Sequence, residues 1–229
     1  MKHQRTLNKG SDSKPRCFWC GDDELYIAYH DSQWGRPVVD DNQLFEKICL
    51  EGFQAGLSWL TILRKRESFR RAFKKFDPKI VAKFMARDVD RLVKDKSIIR
   101  HRGKIEAAIS NAQATLEVQR EFGSLKQFVW SFCPDLVANS KRHNPKRISE
   151  VKPQTVESLA LSKALRSQGF KFVGPTTMYA AMQSLGLVND HFDGCHVREI
   201  CEKQQLATIK KLRKRSLHSY ADERIIIHL

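Results

Sequence analysis

The sequence predicts an all-α fold, and three observations lead to that prediction. Apolar residues recur at helical spacing along nearly the whole chain, capping residues precede these stretches, and alternating apolar and polar runs never exceed a few residues. The chain has 229 residues, 41% of them hydrophobic, which is enough for one domain with a substantial core. No internal repeat or low-complexity tract favours another architecture.

The first predicted helices carry clear start signals. Asp40–Asp41 caps an apolar spacing that ends at Gly52, and Ser58 then opens a second helix. Asp77–Pro78 combines a cap with proline at the first helical position, where the missing N–H does no harm. Asp88 is predicted to cap the short apolar segment that follows it.

Further helices are predicted in the second half of the chain. A long amphipathic helix follows Gly103, and Ser124 starts another helix that Pro134 stops. Residues 139–154 are polar, basic and interrupted by prolines, so they are predicted to form a loop. Helical spacing resumes at Thr155.

The segment 169–186, GFKFVGPTTMYAAMQSLG, has the pattern of two helices joined by a short turn. One helix is predicted to end at Gly169, and Gly174–Pro175 begins the next. The free N–H groups after Pro175 point outward with the positive end of the helix dipole, which suits a phosphate group. An ordinary helical connection has the same local signals, but the net charge of +15 favours a clamp on a nucleic-acid backbone.

Positive charge is concentrated in three places. Residues 1–16 carry five Lys/Arg and one acid, residues 196–229 carry eight and four, and residues 64–104 carry 16 and five. We therefore predict a basic, disordered tail at 1–16, a folded domain at 17–195 with one basic face, and a basic extension at 196–229. No apolar run approaches the roughly 18 residues of a membrane span, and the N-terminus lacks the apolar region of a secretory signal.

Cysteine and histidine residues gather near both ends of the predicted domain. They are Cys17, Cys20 and His30 near its start and His191, Cys195 and His196 near its end. Four ligands of these types suit a tetrahedral structural zinc that would join the two ends. Unrelated buried cysteines and histidines are the alternative. A redox pair at Cys17 and Cys20 is disfavoured because no βαβ pattern surrounds them.

Glu51 is unusual on the helix predicted after Asp40–Asp41. Helical geometry places it at the edge of the apolar stripe that contains Leu44 and Ile48, so its carboxylate is expected to be partly buried. Such a carboxylate needs a partner, which is either an arginine in a structural ion pair or a ligand in a pocket. Aromatic residues that could line a pocket are Trp19, Tyr26, Tyr29, Trp34 and Trp59. Aromatic rings together with one carboxylate are typical of a pocket for a planar base that has an exocyclic amine. Aromatic residues at this density are also typical of a hydrophobic core.

Long blocks of the sequence match a known pattern. They include CFWCGDDELYIAYHDSQWG, FEKICLEGFQAGLSW, IIRHRGKIEAAISNA and GFKFVGPTTMYAAMQSLGLVNDHFDGC, and they run in order from about Cys17 to Cys195. The chain resembles the 3-methyladenine DNA glycosylase I family of helix-hairpin-helix DNA glycosylases. The resemblance implies an all-α helix-hairpin-helix fold in which a structural zinc joins the N- and C-terminal segments. It also implies excision of 3-methyladenine from alkylated DNA.

The resemblance implies roles for individual residues as well. The zinc ligands would be Cys17, His30, His191 and Cys195, with Cys20 and His196 as rival ligands. Glu51 and Tyr29 would be the catalytic residues and would bond the adenine edge, while Trp19 and Trp59 would stack on the base. The DNA contacts would be Gln54, Gly56, the wedge residue Leu57, Gly169, Lys171, Gly174, Thr176 and Thr177.

The expected chemistry follows from the substrate that the resemblance implies. Methylation at N3 makes adenine cationic and a good leaving group, so its removal needs little acid catalysis. Where related glycosylases carry an aspartate this chain has Asn189, with Asp190 one position away, and no lysine follows Gly174 in the places that a Schiff base requires. We therefore predict a monofunctional enzyme that uses water and leaves an abasic site without strand cleavage.

Two other classes of function stay open at this point. One is a DNA-binding protein that keeps the fold and the zinc but has lost excision, and the other is a thiol oxidoreductase, which requires a zinc-free Cys17. The expected partner is double-stranded DNA containing alkylated adenine, with no membrane, no small-molecule cofactor and a monomeric state. The expected compartment is the cytoplasm, at the nucleoid, in a prokaryote, and the nucleus or an organelle in a eukaryote.

Overall fold

The computed structural model describes residues 5–134 and 144–226, with side chains described as far as residue 213. This part of the chain is mainly helical, as predicted. The helices are α1 (Glu24–Ser32), α2 (Asp41–Gln54), α3 (Trp59–Ala72), α4 (Pro78–Val81), α5 (Ala86–Lys94), α6 (Arg102–Phe122), α7 (Leu125–Trp130), α8 (Val156–Ser167), α9 (Pro175–Ser184) and α10 (Arg198–Ile226). Short 3₁₀ turns occur at Phe18–Cys20, Lys74–Phe76 and Ile148–Glu150. No helix in the described ranges is both long and apolar enough to cross a membrane.

Capping side chains begin five of the described helices where the sequence predicts. The side chains of Asp40, Ser58, Asp77, Ser124 and Thr155 each accept a hydrogen bond from a backbone N–H in the first turn of α2, α3, α4, α7 and α8. These bonds satisfy N–H groups that have no partner within the helix. Local chemistry therefore fixes the starts of these helices.

Two predicted helix starts are displaced. Asp88 is the third residue of α5 rather than its cap, and from there its carboxylate accepts the N–H of Met85, the capping residue. Helix α6 begins at Arg102, before Gly103, because the ring of His101 accepts the N–H of Lys104 and caps the helix. In both cases a side chain that was not predicted to act in this way accepts a backbone N–H at the start of the helix.

The N-terminal segment contradicts the predicted disordered tail. Strands β1 (Leu7–Lys9) and β2 (Pro15–Cys17) form an antiparallel hairpin in which Leu7 lies opposite Cys17. The side chain of Arg16 is buried and bonds the carboxylates of Asp12 and Asp31. This double pairing holds the hairpin against α1, whereas residues 1–4 lie outside the described part of the chain.

The C-terminal extension begins as part of the body. Cys201, Gln205 and Ile209 form one buried stripe along α10, and the Gln205 side chain donates to the carbonyl of Leu187. On the same helix, Gln204 accepts a hydrogen bond from Arg36. The predicted loop at 139–154 is described only from residue 144 onward, where it is irregular apart from Ile148–Glu150.

Helix α2 lies at the centre of the fold. It packs against α3, α6, α7 and α9, and nine of its residues are buried. Next to it, Phe53, Phe69, Phe73 and Phe76 form a chain of ring contacts with centroids 4.6–6.2 Å apart. A polar residue on the buried face of α2 is therefore held rigidly, and Glu51 is such a residue.

Candidate active site

A cavity of about 300 Å³ lies beside the end of α2. Six of the residues that line it are those grouped around Glu51 in the sequence, namely Trp19, Tyr26, Tyr29, Trp34, Glu51 and Trp59, and Gln54, predicted as a DNA contact, lines it too. The structure adds Phe18, Ile148, Val151, Ala180, Gln183, Ser184, Asp190 and Phe192. This volume and this aromatic lining suit a planar ring of nucleobase size.

Glu51 is buried in the cavity wall, with 4% of its surface exposed. Its Oε1 accepts a hydrogen bond from Ser184 Oγ at 3.1 Å, and Ser184 lies at the end of α9. Burial raises the pKa of the Glu51 carboxyl, while the charge of Lys47 and the Ser184 bond act in the opposite direction. No arginine pairs with Glu51 in the described part of the chain, so its carboxylate is available to a ligand.

Tyr29 brings a hydroxyl group to the same cavity from α1. Its phenol oxygen accepts a hydrogen bond from Lys47 Nζ at 2.6 Å. Burial is the main reason that the pKa of Tyr29 lies well above its ordinary value, so the phenol keeps its proton. The Lys47 ammonium also lies 4.1 Å from the centroid of the Trp59 ring. Lys47 was not among the predicted site residues.

Aromatic rings enclose much of the cavity. Trp19 lies 5.1 Å from Tyr26 and 4.8 Å from Trp34, measured between ring centroids. Tyr29 and Trp59 are 5.5 Å apart. The indole N–H of Trp59 is buried and has no hydrogen-bond partner among the described residues. A buried donor without a partner is costly, which suits a site that a polar ligand completes.

The predicted wedge loop connects α2 to α3 at the edge of the cavity. Gly56 has a φ of 82°, a conformation that side chains disfavour, and the following Leu57 is 42% exposed. Lys104 Nζ, on α6, donates to the carbonyls of Phe53 and Ala55 at 2.9 and 2.5 Å. A buried cation at the C-terminal end of α2 therefore fixes the start of this loop.

The turn between α8 and α9 has the predicted glycine positions. Gly169 has a φ of 89° and Gly174 is the N-cap of α9, which begins at Pro175. Asn111, on α6, receives a bond from the Lys171 N–H at 2.7 Å and donates to the Lys171 carbonyl at 3.1 Å. Thr176 and Thr177 lie in the first turn of α9, and the side chains of Lys171 and Thr176 are exposed.

Three of the four predicted metal ligands lie together. The ligand atoms of Cys17, His30 and Cys195 are within 4.8 Å of one another, and His30 Nε2 is 3.5 Å from Cys195 Sγ. The ring of the fourth, His191, lies 5.1 Å from the ring of His30, measured between centroids. Its Nε2 is buried and has no hydrogen-bond partner among the described residues. An orphaned nitrogen beside two thiols and an imidazole fits a bound metal ion.

Hydrogen bonds orient both histidines in the way that metal ligands require. His30 Nδ1 bonds Asp31 Oδ1 at 2.7 Å, and His191 Nδ1 bonds Asn189 Oδ1 at 2.9 Å. In each ring this leaves Nε2 to face the cluster. Burial lowers the pKa of His191 to about 2, and a hydrogen bond from Cys17 lowers that of Cys195 to about 4, so a neutral imidazole and a thiolate are both favoured.

The two rival ligands make other contacts. Cys20 Sγ donates to the carbonyl of Cys17 at 3.2 Å, and burial raises its pKa to about 11. His196 Nε2 lies 3.0 Å from Asp31 Oδ1 and forms a second group with His30 and Asp31. All six cysteines lie in the described ranges and none forms a disulfide bond. The geometry therefore favours Cys17 over Cys20 as a metal ligand.

These features define a helical protein with an aromatic-lined cavity that suits a planar ring, beside a Cys/His cluster. A family model of methyladenine glycosylases matches residues 19–199. The chain is 52% identical over 185 residues to DNA-3-methyladenine glycosylase 1 of Escherichia coli (strain K12), an alignment that covers 79% of this chain and 95% of that protein. It is 48% identical to the DNA-3-methyladenine glycosylase of Haemophilus influenzae, covering 79% and 96%.

Solved structures of proteins named 3-methyladenine DNA glycosylase I have the same fold as this chain. A variant of 3-methyladenine DNA glycosylase I in complex with 3-methyladenine is 36% identical, with a TM-score of 0.75 and coverage of 80% of this chain and 97% of that one. The Staphylococcus aureus enzyme is 38% identical, with a TM-score of 0.72 and coverage of 77% and 92%. The chain belongs to the methyladenine glycosylase family. The predicted family and enzyme class, a glycosylase that hydrolyses N-glycosyl bonds, are confirmed.

Proposed function

We propose that this protein excises 3-methyladenine from alkylated double-stranded DNA by hydrolysis and leaves an abasic site. The observation that carries the proposal is the buried Glu51 carboxylate in an aromatic cavity, in a chain of the methyladenine glycosylase family. Relatives named for 3-methyladenine, one of them solved with that base, support the same substrate. A cavity of about 300 Å³ admits a single extruded base.

Glu51 and Tyr29 act as the catalytic residues through recognition of the base. The Glu51 carboxylate accepts from the exocyclic amine and provides the countercharge to the methylated ring, while Tyr29 bonds the same edge. Trp19 and Trp59 stack on the base, and a cationic ring gains from the negative faces of the indoles. Because the methylated base is a good leaving group, these contacts need only select the base and hold it extruded in the orientation in which water can attack the sugar.

Water is the nucleophile of the proposed reaction. The residues after Gly174 are Pro175, Thr176 and Thr177, so no lysine is available there to form a Schiff base. Asn189 bonds His191 and the carbonyl of Arg198, which makes it a supporting residue of the Cys/His cluster rather than an acid. Without a lysine nucleophile the enzyme breaks only the N-glycosidic bond and does not cut the strand.

Two segments hold the DNA in this proposal. The loop with Gln54, Gly56 and Leu57 fills the gap that the extruded base leaves, with the exposed Leu57 as the wedge. The helix-hairpin-helix segment grips the backbone past the lesion through Gly169, Lys171, Gly174, Thr176 and Thr177. The basic face at 64–104 adds phosphate contacts.

The proposal includes one structural zinc ion at the Cys/His cluster. Cys17, His30, His191 and Cys195 would hold it, and the ion would supply folding energy rather than chemistry at the base. The ligands come from both ends of the domain, so the ion would fasten the N-terminal hairpin and α1 to the segment before α10. Monomeric state and compartment stay predictions.

One assay tests the proposal against its closest alternative. The full-length protein is incubated with duplex DNA containing N3-methyladenine, and released base and strand breaks are measured separately. We expect release of 3-methyladenine, with breaks appearing only after alkali treatment of the abasic product. Binding without release at any enzyme concentration would support a DNA-binding protein that has lost excision, and breaks without alkali would contradict the monofunctional mechanism.

A further inference from the structure

Lys47 is a cation behind the aromatic wall of the cavity. It lies on α2 one helical turn before Glu51, is half-buried, and donates to the phenol oxygen of Tyr29 at 2.6 Å. Its ammonium is 4.1 Å from the centroid of Trp59 and 4.6 Å from that of Tyr29. Tyr29, Trp59 and Glu51 line the cavity, but Lys47 does not. The rings therefore separate the ammonium from a bound base.

The contact between Lys47 and Tyr29 fixes the direction of a proton. An ammonium group has donors and no acceptor, so the phenol oxygen of Tyr29 must accept in this bond. Tyr29 keeps its own proton because burial raises its pKa. That proton cannot point at Lys47, and Tyr29 also interacts with Ser184 at the cavity wall. The phenol O–H is therefore directed away from Lys47, to the side of the cavity on which Ser184 lies.

Lys47 also acts on the charge of Glu51. Residues four apart on a helix are neighbours, so the two charges lie on the same face of α2. Burial is the largest influence on each group, lowering the pKa of Lys47 to about 8 and raising that of Glu51. The charge of Glu51 raises the pKa of Lys47, and the charge of Lys47 lowers the pKa of Glu51, so each opposes the effect of burial on the other. Among the described residues, Lys47 is the cation whose charge acts on Glu51.

We propose that Lys47 is a positioning residue of the base cavity, which directs the Tyr29 hydroxyl toward the base and keeps the Glu51 carboxylate ionised. The role rests on the proposed excision of 3-methyladenine, because it deepens the function of the same site. Lys47 touches neither base nor DNA and acts through Tyr29 and Glu51.

The other charged groups around this pair do not replace Lys47. Arg70, on α3, is bonded to Glu46 at 2.8 Å and to Glu67 at 2.7 Å, so its charge is compensated. Arg66, on the same helix, donates to Gln33. Its charge lowers the pKa of Tyr29 and of Lys47 but is not among the influences on the pKa of Glu51. The titratable groups that face the pair from α1, α2 and α3 are Tyr26, Tyr29, Glu46, Arg66 and Arg70. On the side of α9 the uncharged Ser184 bonds Glu51, and Asp190 lines the same cavity.

The sign of the expected effect follows from the loss of one positive charge. Without the ammonium, burial acts on Glu51 with only the Ser184 bond to oppose it, so the pKa of Glu51 rises further. Base release that requires ionised Glu51 then falls off at a higher pH. A nearby opposite charge shifts a carboxyl pKa by roughly 1 to 3 units, so we expect the acid limb to move by about one pH unit.

The experiment compares Lys47→Met, Lys47→Gln and Lys47→Arg with the wild type. Single-turnover release of 3-methyladenine from methylated duplex is measured from pH 5 to pH 9, and the enzyme-free rate is subtracted at each pH. We expect the midpoint of the acid limb to rise by about one unit in the Met and Gln variants. Lys47→Arg, which keeps the charge, should stay near the wild type. Lys9→Met, at an exposed site on β1, is the control for loss of one positive charge.

A carbon-13 NMR titration of the Glu51 carboxyl in the same proteins separates this inference from the proposed function. An unchanged midpoint of Glu51 in folded Lys47→Met and Lys47→Gln would overturn the role of Lys47, whatever the activity. A raised Glu51 midpoint together with no base release by the wild type would overturn the proposed function and leave the charge coupling in place. If the Met variant fails to fold, the Gln variant decides, because its amide can still donate to Tyr29.

Discussion

Replacement of Glu51 by glutamine tests the base cavity most directly. The Oε1 atom of Glu51 accepts the Ser184 hydroxyl at 3.1 Å. In Glu51→Gln only the amide oxygen can still accept the Ser184 bond, and with the oxygen in that place the NH₂ group occupies the position of Oε2. A base that offers its exocyclic amine then meets a donor instead of an acceptor. The shape is kept, but the charge and one hydrogen bond are lost.

The size of the effect follows from the kind of bond removed. A hydrogen bond to a charged group contributes about 1.5 to 3 kcal/mol, which corresponds to roughly a ten- to hundredfold loss in rate. Affinity for abasic DNA should barely change, because phosphate contacts and the turn between α8 and α9 hold that complex. A lower release rate with unchanged affinity for abasic DNA therefore distinguishes a defect in base recognition from a general loss of folding.

The assay measures single-turnover release of 3-methyladenine beside abasic-site affinity for each protein. Glu46→Gln is the matched control, since it removes another buried carboxylate from α2 that pairs with Arg70 and does not line the cavity. It is expected to lower thermal stability and to leave the release rate nearly unchanged. Equal release rates for Glu51→Gln and the wild type would refute the reasoning and make Glu51 a structural residue.

Three further predictions concern the parts around the cavity. One Zn²⁺ per chain is expected by elemental analysis, and Cys17→Ser or His191→Ala should lower the zinc content and the Tm. A metal-free protein that melts at the same temperature would contradict the zinc site. Affinity for undamaged duplex should fall steeply between low and physiological salt, because residues 64–104 neutralise phosphates, and a flat response would place that face away from DNA. Lys104→Met should weaken abasic-site binding about tenfold and binding of free 3-methyladenine much less, since Lys104 fixes the start of the wedge loop and does not itself line the cavity. A parallel loss of both would show that Lys104 only stabilises the fold.

The helices of the body were predictable because local signals specify them. Caps such as Asp40 and Ser58 stand directly before apolar spacing, and the structure uses them as caps. Helix α1 has no comparable apolar stripe, since its buried residues are Tyr29 and His30. These two residues are buried by the cavity and the Cys/His cluster, which a local pattern does not reveal. The prediction therefore missed α1 as a helix while naming two of its residues as site residues.

The hairpin at residues 7–17 could not be read from the sequence for a similar reason. Its strands have three residues each and the turn between them is exposed and polar, and polar residues of this kind are typical of a disordered tail. Its order depends on Arg16, whose two carboxylate partners are Asp12 within the hairpin and Asp31 at the end of α1. Lys47 was missed although the sequence contains a signal for it. It stands four positions before Glu51, a spacing that makes two residues neighbours on a helix.

The span of the Cys/His cluster along the chain has a consequence for the order in which the protein assembles. His30 and Cys195 are 165 positions apart, so their contact can form only after synthesis has passed nearly the whole domain. During translation Cys17 and His30 are synthesised long before His191 and Cys195, while the helices between them can already pack. Closure of the cluster is therefore a late event of folding. A nascent chain interrupted before Cys195 would contain Glu51 and its helix but would leave the two ends of the domain unfastened.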